Sequence, residues 1–170
     1  MPVDVLHQIS AQANFIQSVL YDYASSNGGD CQVVSNMKDM WMQANQSSQK
    51  PTIYITWIGE SPWSSNANIS AVTHRVSRDW KVGIKRGRGF QPIRGTTLSK
   101  TTSVIPFFDV VEDVRDLIRS ELGISEDAGI DDVKVSEWQL GGLVMDGKLI
   151  SFTTKNDLPT ILNQPDNIPN

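Results

Sequence analysis

Five cations are the side chains best placed to do chemistry on a partner: Lys85, Arg86, Arg88, Arg94 and Lys100, in a stretch that begins Lys85-Arg86-Gly87-Arg88-Gly89. Ammonium and guanidinium groups at this density can neutralise phosphates or meet an acidic protein face, and Phe90 among them can stack on a base. They belong to a wider polarisation. Residues 74–100 hold eight of the fifteen Lys and Arg and one acid, Asp79, leaving seven basic against eighteen acidic residues elsewhere. A net charge of -4 therefore conceals a strongly basic segment in an acidic remainder. Such a split favours contact with nucleic acid, with an acidic partner or with the acidic face of a second copy; a solvated basic loop is the plainer alternative.

Other chemistry does not assemble in the sequence. His7, His74 and Cys31 fall on different elements without zinc-ligand spacing. His74 reads as a hydrogen-bonded edge residue and Cys31 as a small buried hydrophobe. Glu126, Asp127, Asp131 and Asp132 lack the spacing and terminal Glu of an EF-hand and read as a solvated acidic loop. Glycines and cations at 83–89 are not in the order of a phosphate-binding loop, and no helix follows to receive the phosphate. No Gly-x-Ser-x-Gly elbow occurs. Arg75, Arg78 and Asp79 alternate between strand faces, which argues against a shared phosphate pocket. The expectation is a binding or assembly protein, not an enzyme, with no cofactor and no metal. A single cysteine excludes an intrachain disulfide. No segment nears the roughly 18 apolar residues of a membrane span, and no leader pattern opens the chain, so a soluble protein made in a cytoplasm and free of membrane is expected.

Several elements must position these groups. From Val72 to Ile84 the series Val72, His74, Val76, Arg78, Trp80, Val82, Ile84 alternates with Thr73, Arg75, Ser77, Asp79, Lys81, Gly83. That period of two predicts a strand with one buried and one wet face. At about 3.3 Å per residue it spans on the order of 40 Å, more than a small core needs, so it bends or its end projects. Leu6, Ile9, Ala13, Ile16, Leu20 and Tyr23 predict an amphipathic helix with Asp4 as N-cap, stopped at Gly28-Gly29. A short strand at 31–34 and a helix capped by Asn36 follow, then a Pro51-led strand at 52–58 that pairs antiparallel with the long one. Residues 86–105 form a long basic loop, expected to be extended or flexible in the free subunit. Phe107, Val110, Val111, Val114, Leu117, Ile118 and Leu122 predict a third helix, with Asp109 and Glu112 at capping-box spacing and its acidic cluster structural. Strands at 133–145 and 148–154 join through an Asp146-Gly147 turn, with Gly141-Gly142 marking a bulge. The fold class is α+β, a single domain over 1–155 with a mainly antiparallel or mixed sheet of about five strands and two or three helices packed against it. Residues 156–170, with three prolines between 159 and 169, read as an extended arm or tail.

This layout resembles the tail terminator, or tail completion, proteins of long-tailed bacteriophages. The resemblance is carried by the N-terminal helix, by Pro51-Thr52-Ile53-Tyr54-Ile55-Thr56-Trp57-Ile58-Gly59-Glu60, by His74-Arg75-Val76-Ser77-Arg78-Asp79-Trp80-Lys81-Val82-Gly83-Ile84, by a helix from about Phe107 and by a closing strand near 149–154. It implies a virion structural subunit, assembled in the host cytoplasm and located at the head-proximal end of the tail. Six copies close into a ring that caps the tail tube and offers the head-joining surface. Its partners would be further copies of itself, the tail tube protein and a neck or connector protein, with transient contact to genomic DNA. The long basic segment and the proline-containing end depart from that pattern. A head-to-tail connector or neck component, or a nucleic-acid-binding module using the basic loop, would carry the same features.

Overall fold

A computed structural model describes residues 8–46, 50–62, 73–87, 106–122 and 133–159. The elements in chain order are α1 (Gln8–Ser26), β1 (Asp30–Val33), α2 (Met37–Ala44), β2 (Thr52–Pro62), β3 (Thr73–Lys85), α3 (Phe107–Glu121), β4 (Lys134–Leu140) and β5 (Leu143–Pro159). The strands form one sheet in the order β1-β2-β3-β5-β4, in which β1 pairs parallel to β2 and every other pair is antiparallel. The chain is thus an α+β domain with a five-stranded mixed, mostly antiparallel sheet.

Alternation along β3 sorts the core into two faces. Trp80, Val82 and Ile84 join Ile53, Ile55, Ile150 and Phe152 on one face, where α1 contributes Ile16, Leu20 and Ala24 and α3 contributes Phe107, Val110, Val111, Val114 and Ile118. Burying each such aliphatic or aromatic side chain is worth about 1.5–3 kcal/mol, so this face holds most of the driving force. The opposite face carries a smaller cluster around α2, with Met40, Ala44, Tyr54, Trp138 and Leu149. The helix spacing of α1 and α3 matches their buried residues. Asn36 caps α2 as expected, its Oδ1 accepting from the Asp39 N–H at 2.9 Å.

Three local expectations are corrected. The β4–β5 turn is Gly141-Gly142, whose φ values of 60° and 82° are the left-handed pair that a two-residue hairpin requires. Asp146-Gly147 instead lies inside β5, with Gly147 opposite Lys85. Glycine is needed there because a Cβ would collide with the Ile84 carbonyl oxygen and lie 3.0 Å from the Trp138 ring. Second, α3 has Pro106 at its N-cap with no side-chain cap bond, so Asp109 and Glu112 form no capping box. The acidic cluster acts along the helix, where Glu112 and Asp116 pair with Arg115 at 3.3 and 3.1 Å. Third, the strands are longer than expected: β2 runs to Pro62, and β5 runs to Pro159, so 156–159 belong to the sheet. Asp4 and residues 160–170 lie outside the described residues, as does the loop over 88–105.

Candidate assembly surface

Of the five cations, Lys85 and Arg86 are described, and both are engaged by the fold. Lys85 is 9 % exposed, and its ammonium donates to the Gln46 carbonyl just past the C-terminal end of α2, where a cation complements the helix dipole. Arg86 donates from Nε to both carboxylate oxygens of Asp146, at 3.2 and 3.1 Å, and its backbone N–H donates to the Asp146 carbonyl at 3.0 Å. Arg86 keeps a partly exposed side chain. Arg88, Arg94 and Lys100 lie outside the described residues. Arg86 also borders an open groove of about 300 Å³ between the start of α3 and the β4–β5 hairpin, with Phe107, Phe108, Glu137, Asp146 and Lys148. Its charges are balanced by sign, since Arg86 is bonded to Asp146 and Glu137 faces Lys148 across the strands.

A different feature stands out at the far end of the sheet. β1 reaches only to the level of Ile55 on β2, and β4 begins opposite Ser151 on β5. Past those points β2, β3 and β5 continue as a three-stranded ribbon, paired through Pro62↔Val76 and Thr73↔Pro159. Arg78 anchors this ribbon. Its guanidinium is 2 % exposed, with Nε donating to Glu60 Oε1 at 2.7 Å and one terminal nitrogen donating to Gln12 Oε1 of α1 at 3.0 Å. A charge buried this way persists only with partners, so the network ties α1 to the ribbon. On the opposite face Thr153 donates to Asp79 at 2.8 Å. Trp57 and Ile58 are 37 % and 44 % exposed at the rim of β2, where the register shifts between Trp57 and Gly59. Exposed apolar side chains at a strand rim are the raw material of a contact surface.

At Cys31 the outer side of β1 is already occupied by the chain's own side chains. The Cys31 N–H is taken by its neighbour Asp30 Oδ1 at 2.8 Å, and the Cys31 carbonyl accepts from Gln17 Nε2 of α1 at 3.3 Å. The Gln32 side chain is tied to Gln43 of α2 at 2.7 Å. Cys31 itself is buried, and desolvation, with Asp30 beside it, pushes its thiol pKa up to about 12. The thiol is therefore inert at neutral pH.

Arg78 and Asp79 do not share a pocket: Arg78 opposes Glu60 on one face of the ribbon, and Asp79 bonds Thr153 on the other, while the Arg75 side chain lies outside what is described. Among the described residues, no group of three or more His, Cys, Asp or Glu side chains converges, and no helix is long and apolar enough to cross a membrane. Glu60, Gln12, Trp57 and Ile58 were not legible as a unit in the sequence. The one available signal was Gly59, which breaks the alternation of β2. No protein-family model and no curated protein matches the chain.

Proposed function

We propose that this chain is a virion structural protein, a tail terminator whose copies form a ring that caps the tail tube of a long-tailed bacteriophage and provides the head-joining surface. The observation that carries the reading is the ribbon, in which three central strands outrun both flanking strands and leave sheet edges with no further strand beside them among the described residues. An uncovered strand edge is an invitation to pair with another chain, and a subunit with two different such edges suits head-to-tail closure. The element order and the polarised charge support the same reading. The site would act by docking, not by catalysis, at the head-proximal end of the tail, with further copies of the chain, the tail tube protein and a neck or connector protein as partners. Genomic DNA would pass through the ring with transient contact at most. The nucleic-acid module is the weaker reading, because Lys85 is largely buried and Arg86 is held by Asp146.

Electron microscopy of the purified protein, alone and mixed with tail tubes, tests the proposal. Rings in solution or at one end of the tubes are expected. A protein that remains monomeric across concentration and never binds a tube end would overturn it.

A further inference from the structure

We infer that the copies join through the ribbon itself, the outer edge of β2 in one copy, residues 57–61, pairing in parallel with the outer edge of β5 in the next, residues 153–157. This assigns the interface of the ring proposed above and rests on that reading. Among the described residues, no strand lies outside β2 beyond Ile55 or outside β5 beyond Ser151.

Backbone alternation says which groups are offered. The carbonyls of Pro51 and Ile55 accept from Asp30 and Val34, so odd residues at the start of β2 point toward β1 and even ones toward β3. The register shift between Trp57 and Gly59 inverts that order, and Glu60 then turns its N–H and C=O outward. On β3 the residues opposite the even positions of β2 are Lys81, Gly83 and Lys85, so its even residues face β5. These oppose Phe152, Thr154 and Asn156, which leaves the backbone groups of Thr153, Lys155 and Asp157 pointing outward.

Direction and charge select the pairing. β2 and β5 both run opposite to β3, hence in the same direction, and rotation about a ring axis preserves direction, so β2 meets the next β5 in parallel. Twofold pairing of one edge with itself would instead be antiparallel, would stop at a dimer and would bring like charges together, Glu60 near Glu60 or Lys155 near Lys155. The mixed pairing avoids both of these self-contacts. Trp57 and Ile58, exposed at the β2 rim, add apolar contact. The β1 edge is shorter and less suited, because Asp30 and Gln17 already occupy the Cys31 backbone groups.

Two sets of variants test this by mass measurement across concentration and by imaging on tubes. Ile58→Lys places a charge at the exposed rim without entering the core, and Met42→Lys, at a similarly exposed position on α2, is its control. Ile58→Lys is expected to raise the assembly midpoint concentration at least about tenfold with an unchanged melting temperature, and Met42→Lys to leave both alone. In the second set, Ser61→Cys combined with Asp157→Cys should give, on oxidation, a covalent ladder extending beyond the dimer, while neither single variant crosslinks. Rings formed normally by Ile58→Lys with no ladder from the double variant overturn this interface and leave the ring reading standing. A dimer from Ser61→Cys alone establishes twofold pairing and overturns the interface as well. A wild-type protein that never assembles overturns the ring reading and this interface with it.

Discussion

Trp80 is 1 % exposed on the helix-covered face of β3, and its indole N–H donates to Thr154 Oγ1 at 3.1 Å, whereas Lys81 points to the opposite face. Trp80→Ala is expected to cost about 3–5 kcal/mol in chemical denaturation, and Lys81→Ala little. Equal midpoints for the two would contradict the strand register. Cys31 provides a pH test at the same scale. The fold holds the thiol protonated to about pH 12, while an unfolded chain releases that proton near its ordinary value of 9.0. Its contribution is therefore complete below pH 9 and declines as the pH rises toward 12. Burial also raises the Tyr23 and Tyr54 hydroxyls, Tyr23 further through its bond to Asp113, and these add to the alkaline loss. Thermal melts of Cys31→Ala from pH 8 to 11 should show a shallower alkaline decline than wild type, and an identical slope would refute the assignment.

Elements meet at two points where single side chains decide the packing. Trp138 of β4 is fully buried across β3, and a Cβ on Gly83 would lie 2.6 Å from its Cη2 and 2.9 Å from the Met40 sulfur. Gly83→Ala is expected to destabilise by about 1–3 kcal/mol, because the indole and α2 cannot both retreat. An unchanged melting temperature would mean that α2 is free to move off the sheet. The second point is Arg78, which links α1, β2 and β3 through Gln12 and Glu60. Glu60→Ala strands a buried guanidinium, and with Glu60 one-third exposed the expected cost is roughly 2 kcal/mol. Arg78→Met, which removes the charge and keeps the stem, should cost less than Glu60→Ala. The reverse order by urea titration would show that the ion pair is not what holds α1 to the ribbon.

For the whole molecule the relevant quantity is the separation of charge, with the basic excess concentrated at 74–100. Part of that excess is internal, since Arg78 and Lys85 are buried and Arg86 pairs with Asp146. Replacing Arg86, Arg88 and Arg94 together by Gln should leave thermal stability nearly unchanged, because an exposed pair such as Arg86–Asp146 contributes at most about 1 kcal/mol. Assembly should weaken, and the gap from wild type should narrow as salt shortens the screening length to about 8 Å at physiological strength. Normal assembly with a lost affinity for DNA would favour the nucleic-acid module. Unfolding of the triple variant would place the segment in the core.

Local periodicity was enough to reveal the amphipathic helices, the alternation of β3 and the α+β class, because these follow from which side chains must leave water. The Asn36 cap was legible for the same reason, as its hydrogen bond is made within four residues. The β4–β5 turn was not. Both Gly141-Gly142 and Asp146-Gly147 satisfy the local turn chemistry, and only the packing of Trp138 over Gly83 and Gly147 assigns one to the turn and the other to a strand interior. The fate of the cations was hidden likewise. Lys85 and Arg86 are neighbours in a basic run, yet one sits beneath the end of α2 and the other pairs with a residue sixty positions away. The overhang of β2, β3 and β5 past their neighbours depends on the relative lengths and register of five strands, which a one-dimensional pattern does not encode because each strand's pairing partners come from distant parts of the chain.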